Sequence, residues 1–163
     1  MDFLKNDPRL HFYLSLGMFT ETWAKADHAL DMCIAVIFHR YGGSTLCRKL
    51  PKPLEKRIDF VRDCRAKLPQ LASFPQGIEI ADRFAQFSER RHTLIHGIAA
   101  NEIGADAIVQ KIRLRTEALM HHEERTSTSP REIMEFTEEI TNLANDTLLL
   151  CNALVAPLKV QQA

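Results

Sequence analysis

From Phe12 to Ile37 the chain returns to an apolar residue at nearly every helical turn: Phe12, Leu16, Phe19, Trp23, Ala26, Leu30, Ile34 and Ile37. A stripe that keeps a 3.6-residue period for about eight turns commits this stretch to one long helix with a buried edge. Pro8 suits a first helical turn and Gly42-Gly43 stops the run, so the sequence predicts a helix from Pro8 to Tyr41. Its first half carries further apolar residues on another side, Leu10, Tyr13, Leu14 and Met18. Either this half faces both a core and a partner, or it is a central helix buried all round.

Three more segments repeat the pattern. Pro51 and Pro53 lead into a second helix with Leu54, Ile58, Val61, Cys64 and Leu68 inward, ending before Pro69. A third is expected from about Gln76 to Ala99, with Ile80, Phe84, Phe87, Leu94, Ile95 and Ile98 on its apolar side. Ser129-Pro130-Arg131-Glu132 has the capping-box pattern with proline at the first helical position. It opens a last helix with Ile133, Phe136, Ile140, Leu143, Leu150 and Leu154 on one side and an acidic face opposite. Between the third and last helices, Ala107 to Arg115 alternates apolar and charged residues, so a short β-hairpin excursion is expected around 106–124. The expected class is all-α, an up-and-down bundle of four to five helices in a single domain spanning 1–163.

At 163 residues the chain is long enough to bury one full core and too short for two ordinary ones. Its 21 basic and 21 acidic residues cancel, so no global field steers it toward a polyanion, and any such site is local. The clearest local excess is Arg48 to Lys67, with eight basic and three acidic residues. Cys33, Cys47, Cys64 and Cys151 are scattered without a CxxC pair and read as reduced thiols. No signal peptide is evident, and the apolar run from Leu148 to Leu158 is about half a membrane span. Together these point to a cytoplasmic protein with no membrane association.

Arg91 breaks the pattern of the third helix. It falls near the centre of the apolar stripe, where a guanidinium costs several kcal/mol, roughly, unless it is paired, hydrated or opened onto a cleft. One residue on is His92, and five on is His96, followed by Gly97. On an ideal helix Arg91 and His96 are separated by about 140° and about 7.5 Å of rise. They cannot form one tight pair on this helix, but both can border a groove made with another helix or subunit. Histidine can take and return a proton near neutral pH, and arginine offers a fork of donors matched to phosphate oxygens. That combination fits cleavage of an RNA phosphodiester without a metal: His96 deprotonates the ribose 2′-hydroxyl, Arg91 stabilises charge on the pentavalent phosphorus, and His92 orients His96 or touches substrate.

Arg91-His92-Thr93-Leu94-Ile95-His96-Gly97 resembles the hallmark of the HEPN family (higher eukaryote and prokaryote nucleotide-binding), R-x(4 to 6)-H with a polar residue directly after the arginine. A register starting at Arg90 also satisfies the spacing, but Arg91 has the polar follower. The order of a long first helix, a basic second helix, a motif helix and a final helix is similar too, over most of the chain. The resemblance implies homodimers whose motif helices face a shared cleft. It also implies metal-independent ribonuclease activity in many members, often as toxins with an antitoxin partner or in defence against phage, and non-catalytic behaviour in others. No cofactor or metal is implied.

Plainer readings compete. Arg91 can be a structural arginine bonded to Glu21 or Asp31 of the first helix. His96 can owe its place to the helix C-terminus, where a cation is favourable. His92 and His96 with Glu89 could hold a metal, helped by His121-His122-Glu123, although the HExxH pattern fails because Thr93 follows the first histidine. Arg48, Lys49, Lys52, Lys56 and Arg90 could track an RNA backbone through charge neutralisation, or they are a solvated face balanced by Glu55, Asp59, Asp63 and the acidic last helix. The same cleft would also serve a catalytically silent module that binds RNA, nucleotide or protein.

Overall fold

The first helix begins where Asp7 caps it, the Arg9 N–H donating to the Asp7 carboxylate at 2.9 Å. The computed structural model describes residues 7–96, 98–99, 109–117 and 120–160, and only the backbone of residues 8, 96, 98–99, 109–117, 120–126 and 157–160. Helix α1 spans Pro8–Arg40 and stops at Gly42, which sits at φ 82°, a left-handed conformation that costs glycine little. The next residue, Gly43, packs so closely that an added Cβ would lie 2.7 Å from Phe60 Cζ and 2.9 Å from the Phe38 backbone. These two glycines therefore have separate tasks, turning the chain and letting α1 approach the following segment.

Helix α2 covers Leu54–Lys67 between Pro53 and Pro69, and α3 covers Gln76–His96. The third helix was expected to continue to Ala99; it ends earlier because Ile98–Ala99 forms a short strand, β1, paired with β2 (Val109–Glu117). Pairing with a distant strand outweighs the local helical pattern there. Strand β3 (Met120–Thr128) completes an antiparallel order β1-β2-β3, with Ile98 opposite Ile112 and Leu114 opposite Glu123. The hairpin expected around 106–124 is present and runs on to Thr128. Helix α4 spans Pro130–Val160 and opens with the capping box that the sequence predicts. The Ser129 N–H donates to Glu132 Oε2 at 2.7 Å, and the Glu132 N–H donates back to Ser129 Oγ at 3.2 Å.

Among the described residues, then, lie four long α-helices and a hairpin, and the class is an all-α helical bundle. The chain clusters into two compact units: Met1–Thr22 with Ser88–Ile140, and Trp23–Phe87 with Thr141–Ala163. In the first unit Phe12, Phe19, Leu94, Ile133, Phe136 and Ile140 are buried, and the Phe19 and Phe136 rings stack at 5.3 Å with 22° between their planes. Tyr13, Leu14 and Met18, the second apolar face of α1, stand exposed.

In the second unit Trp23 meets Phe84 edge to face at 6.0 Å, among buried Leu30, Ile34, Ile58, Val61, Leu143 and Leu154. Burying each large aliphatic or aromatic side chain contributes about 1.5–3 kcal/mol. Two polar contacts reach α4 here: the hydroxyl of Tyr41, just past the end of α1, donates to the Leu154 carbonyl at 2.6 Å, and Cys33 Sγ of α1 donates to the Thr147 carbonyl at 3.3 Å. All four cysteines are free thiols, and Cys33, Cys64 and Cys151 are buried. Desolvation raises the Cys33 thiol pKa, and burial pushes that of Cys64 up to about 12, which keeps both protonated and inert.

Candidate functional site

The last two turns of α3 carry Arg90, Arg91, His92 and His96, all in the first unit. Helical spacing turns Leu94 inward, where it is buried, and leaves Arg91 half-buried beside it, with its Nε atom shielded from solvent. His92, 100° further round an ideal helix, is exposed. His96 closes the helix by its backbone, while its side chain and Gly97 lie outside the described residues.

Arg90 points to α4. Its guanidinium carbon lies 4.2 Å from the centre of the Phe136 ring, and one terminal nitrogen donates to the Glu132 carbonyl at 3.3 Å. The Glu132 carboxylate is itself held below the usual carboxylate range, first by the Ser129 N–H and hydroxyl that donate to it and then by the charge of Arg90. Of the two arginines that satisfy the motif spacing, Arg90 is thus occupied in packing α3 on α4.

Asp31, one of the two carboxylates that a purely structural role for Arg91 could draw on, accepts from Arg57. In the second unit Arg57 donates to Asp31 Oδ1 at 2.7 Å and to Asp27 Oδ1 at 2.6 Å. Only 8% of the Arg57 side chain is exposed. Burial alone would pull its pKa down, but the hydrogen bonds and charges of Asp27 and Asp31 together hold it above its ordinary value. From the sequence Arg57 is one more cation of the basic run from Arg48 to Lys67. Its signal was there: Leu54, Arg57, Ile58 and Val61 lie on one side of α2, and Asp27 and Asp31 are one turn apart on α1.

Arg48, Lys49, Lys52 and Lys56, the other expected backbone contacts, are exposed residues of the second unit. Several cations of this stretch are balanced inside that unit: Lys56 by Asp59 at 3.8 Å, Arg62 by Asp82 at 2.6 Å and Lys67 by Asp63 at 2.9 Å. Those carboxylates come from α2 and α3, whereas α4 supplies Asp146 to Arg83 of α3. Lys52 also lines, with Asp31, Ile34 and Leu50, a groove of about 390 Å³. A second groove of about 470 Å³ lies between Ile80 and Arg83 of α3 and Asp146 and Leu149 of α4. Neither groove includes Arg91 or His92.

Among the described residues no group of three or more metal-binding side chains occurs, and no helix is long and apolar enough to cross a membrane. The side chains of His96, His121, His122 and Glu123 fall outside that description. Comparison with protein-family models, curated proteins and solved structures finds no match to this chain.

Proposed function

We propose that this helical bundle is a HEPN-like, metal-independent endoribonuclease of the toxin or defence type, acting in the cytoplasm as a homodimer with the R-x4-H motif at a shared cleft. The observation that carries this reading is the placement of Arg91, half-buried late in α3, directly before an exposed histidine.

The chemistry follows from the residue types. The His96 imidazole takes the proton of a ribose 2′-hydroxyl, and the freed oxygen attacks the adjacent phosphorus. Arg91 donates to the non-bridging oxygens as charge builds on them. The bond to the 5′-oxygen breaks, that oxygen receives a proton from an imidazolium, and the products are a 2′,3′-cyclic phosphate and a 5′-hydroxyl. His92 contacts the substrate or fixes the ring of His96.

The test is incubation of the purified protein with mixed RNA in EDTA. Wild type should cleave; Arg91→Ala should be slower by about 10²–10³-fold and His96→Ala by about 10²–10⁴-fold. Absence of cleavage at every pH and salt concentration would sink the enzyme reading. RNA binding without cleavage would then leave a binding module, and activity abolished by EDTA would indicate a metal site. Copurification with an antitoxin would assign the toxin role.

A further inference from the structure

We propose that the outer face of the Arg90 guanidinium is a stacking platform for one base of a single-stranded RNA, next to the phosphate contact at Arg91. This rests on the ribonuclease reading for the kind of polymer bound, but the platform has its own geometry. Phe19 and Phe136 stack at 5.3 Å, and the Arg90 guanidinium carbon lies over the Phe136 ring, 4.2 Å from its centre. Both rings are fully buried, so neither can offer a face to a ligand. Arg90 is the exposed member of this cluster, and one of its terminal nitrogens is tethered to the Glu132 carbonyl at 3.3 Å.

A flat cation laid on an aromatic ring is preorganised for a further planar group, and unpaired RNA bases stack on arginine planes. The local electrostatics favour a base over a phosphate. One donor of Arg90 is already used, and the Glu132 carboxylate nearby opposes a second anion. The base is a neutral π-surface and is indifferent to that carboxylate. Arg91 directly follows Arg90, so a nucleotide stacked on one would present its backbone near the other. Cleavage should therefore depend on the presence of one unpaired base close to the scissile bond.

The experiment uses single-stranded oligoribonucleotides blocked against cleavage by 2′-O-methylation, with one 2-aminopurine moved along the series, and abasic and double-stranded controls. Wild type should change the fluorescence of 2-aminopurine at one or more positions, as the base leaves its neighbours for the guanidinium, and bind the matching abasic oligonucleotide more weakly. Arg90→Lys keeps the charge and loses the plane; it should lose the fluorescence change and weaken binding about fivefold or more. Circular dichroism and thermal melting of Arg90→Lys establish that it is folded. An equal fluorescence change and affinity in Arg90→Lys, or no fluorescence change with wild type at any position, would overturn the platform. A position-specific fluorescence change with wild type without cleavage of unmodified RNA would retire the endoribonuclease and leave the platform standing.

Discussion

Arg57 and Arg90 are both drawn toward apolar surroundings, and the fold reconciles each with its charge by opposite means. Arg57 is taken almost wholly out of water and gripped by two carboxylates. Arg90 stays exposed, lies on a ring and uses one donor on a backbone carbonyl. An arginine closed between two carboxylates has its charge spent inside the molecule, so the Arg57 cluster fastens α2 to α1. A stacked arginine keeps its charge and one π-face available, which is what a ligand needs. Depth of burial alone would have ranked the two in the wrong order as candidate sites.

The largest effect that separates them is on folding. Removing one member of a buried ion pair typically costs about 3–5 kcal/mol. Asp27 and Asp31 are 33% and 57% exposed at their side chains, so water can reach the carboxylates left behind. Arg57→Ala is therefore expected near the lower end, about 3 kcal/mol, or roughly 6–12 °C in Tm. Arg57→Met should cost less, because it refills the volume while Asp27 and Asp31 hydrate. Denaturant unfolding checks both. A loss below about 0.5 kcal/mol for Arg57→Ala would make the cluster no more than a surface pair.

How far these two arginines were readable differs in the same way. The helical stripes, the glycine stop of α1, the proline-bounded start of α2 and the capping box of α4 are local signals, and the structure follows them. All six apolar positions read on α4, from Ile133 to Leu154, are buried. The end of α3 departs from the local pattern because Ile98 is committed to Ile112, a partner set by strand pairing rather than by its neighbours. Arg57 reads as part of a basic run because nothing local says that Asp27 and Asp31 stand opposite it. The Arg91–His92 sequence could be found from spacing alone, whereas the ring under Arg90 comes from a residue on α4, far along the chain.

A second, smaller effect concerns the surroundings of Arg90. Ser129→Ala removes the hydroxyl that caps α4 and one of the donors to Glu132, and should cost about 1 kcal/mol at neutral pH. The folded-state pKa of Glu132 is depressed, so its share of stability is complete above the ordinary glutamate value of about 4.3 and is lost as pH falls through the lower, folded value. The difference between wild type and Ser129→Ala, followed by thermal melting, should accordingly narrow below about pH 4. A gap constant from pH 7 to 3 would show that the hydroxyl alone, without the carboxylate, makes the cap.

The smallest effect is the sharpest contrast with Arg57. Arg90→Ala removes a charge that favours the Glu132 carboxylate, but that carboxylate is exposed and keeps its hydrogen bonds from Ser129. What it loses is one exposed cation–π contact and a long hydrogen bond at 3.3 Å, together about 0.5–1 kcal/mol. Phe136 remains covered on its other side by Phe19, so the core of the first unit should stay intact. Denaturant unfolding of Arg90→Ala should thus show a small shift of midpoint and no change of slope. A loss approaching that of Arg57→Ala would mean that Arg90 is needed to close the core. Its guanidinium would then be a structural lid on Phe136, and base stacking would have to be sought on another surface.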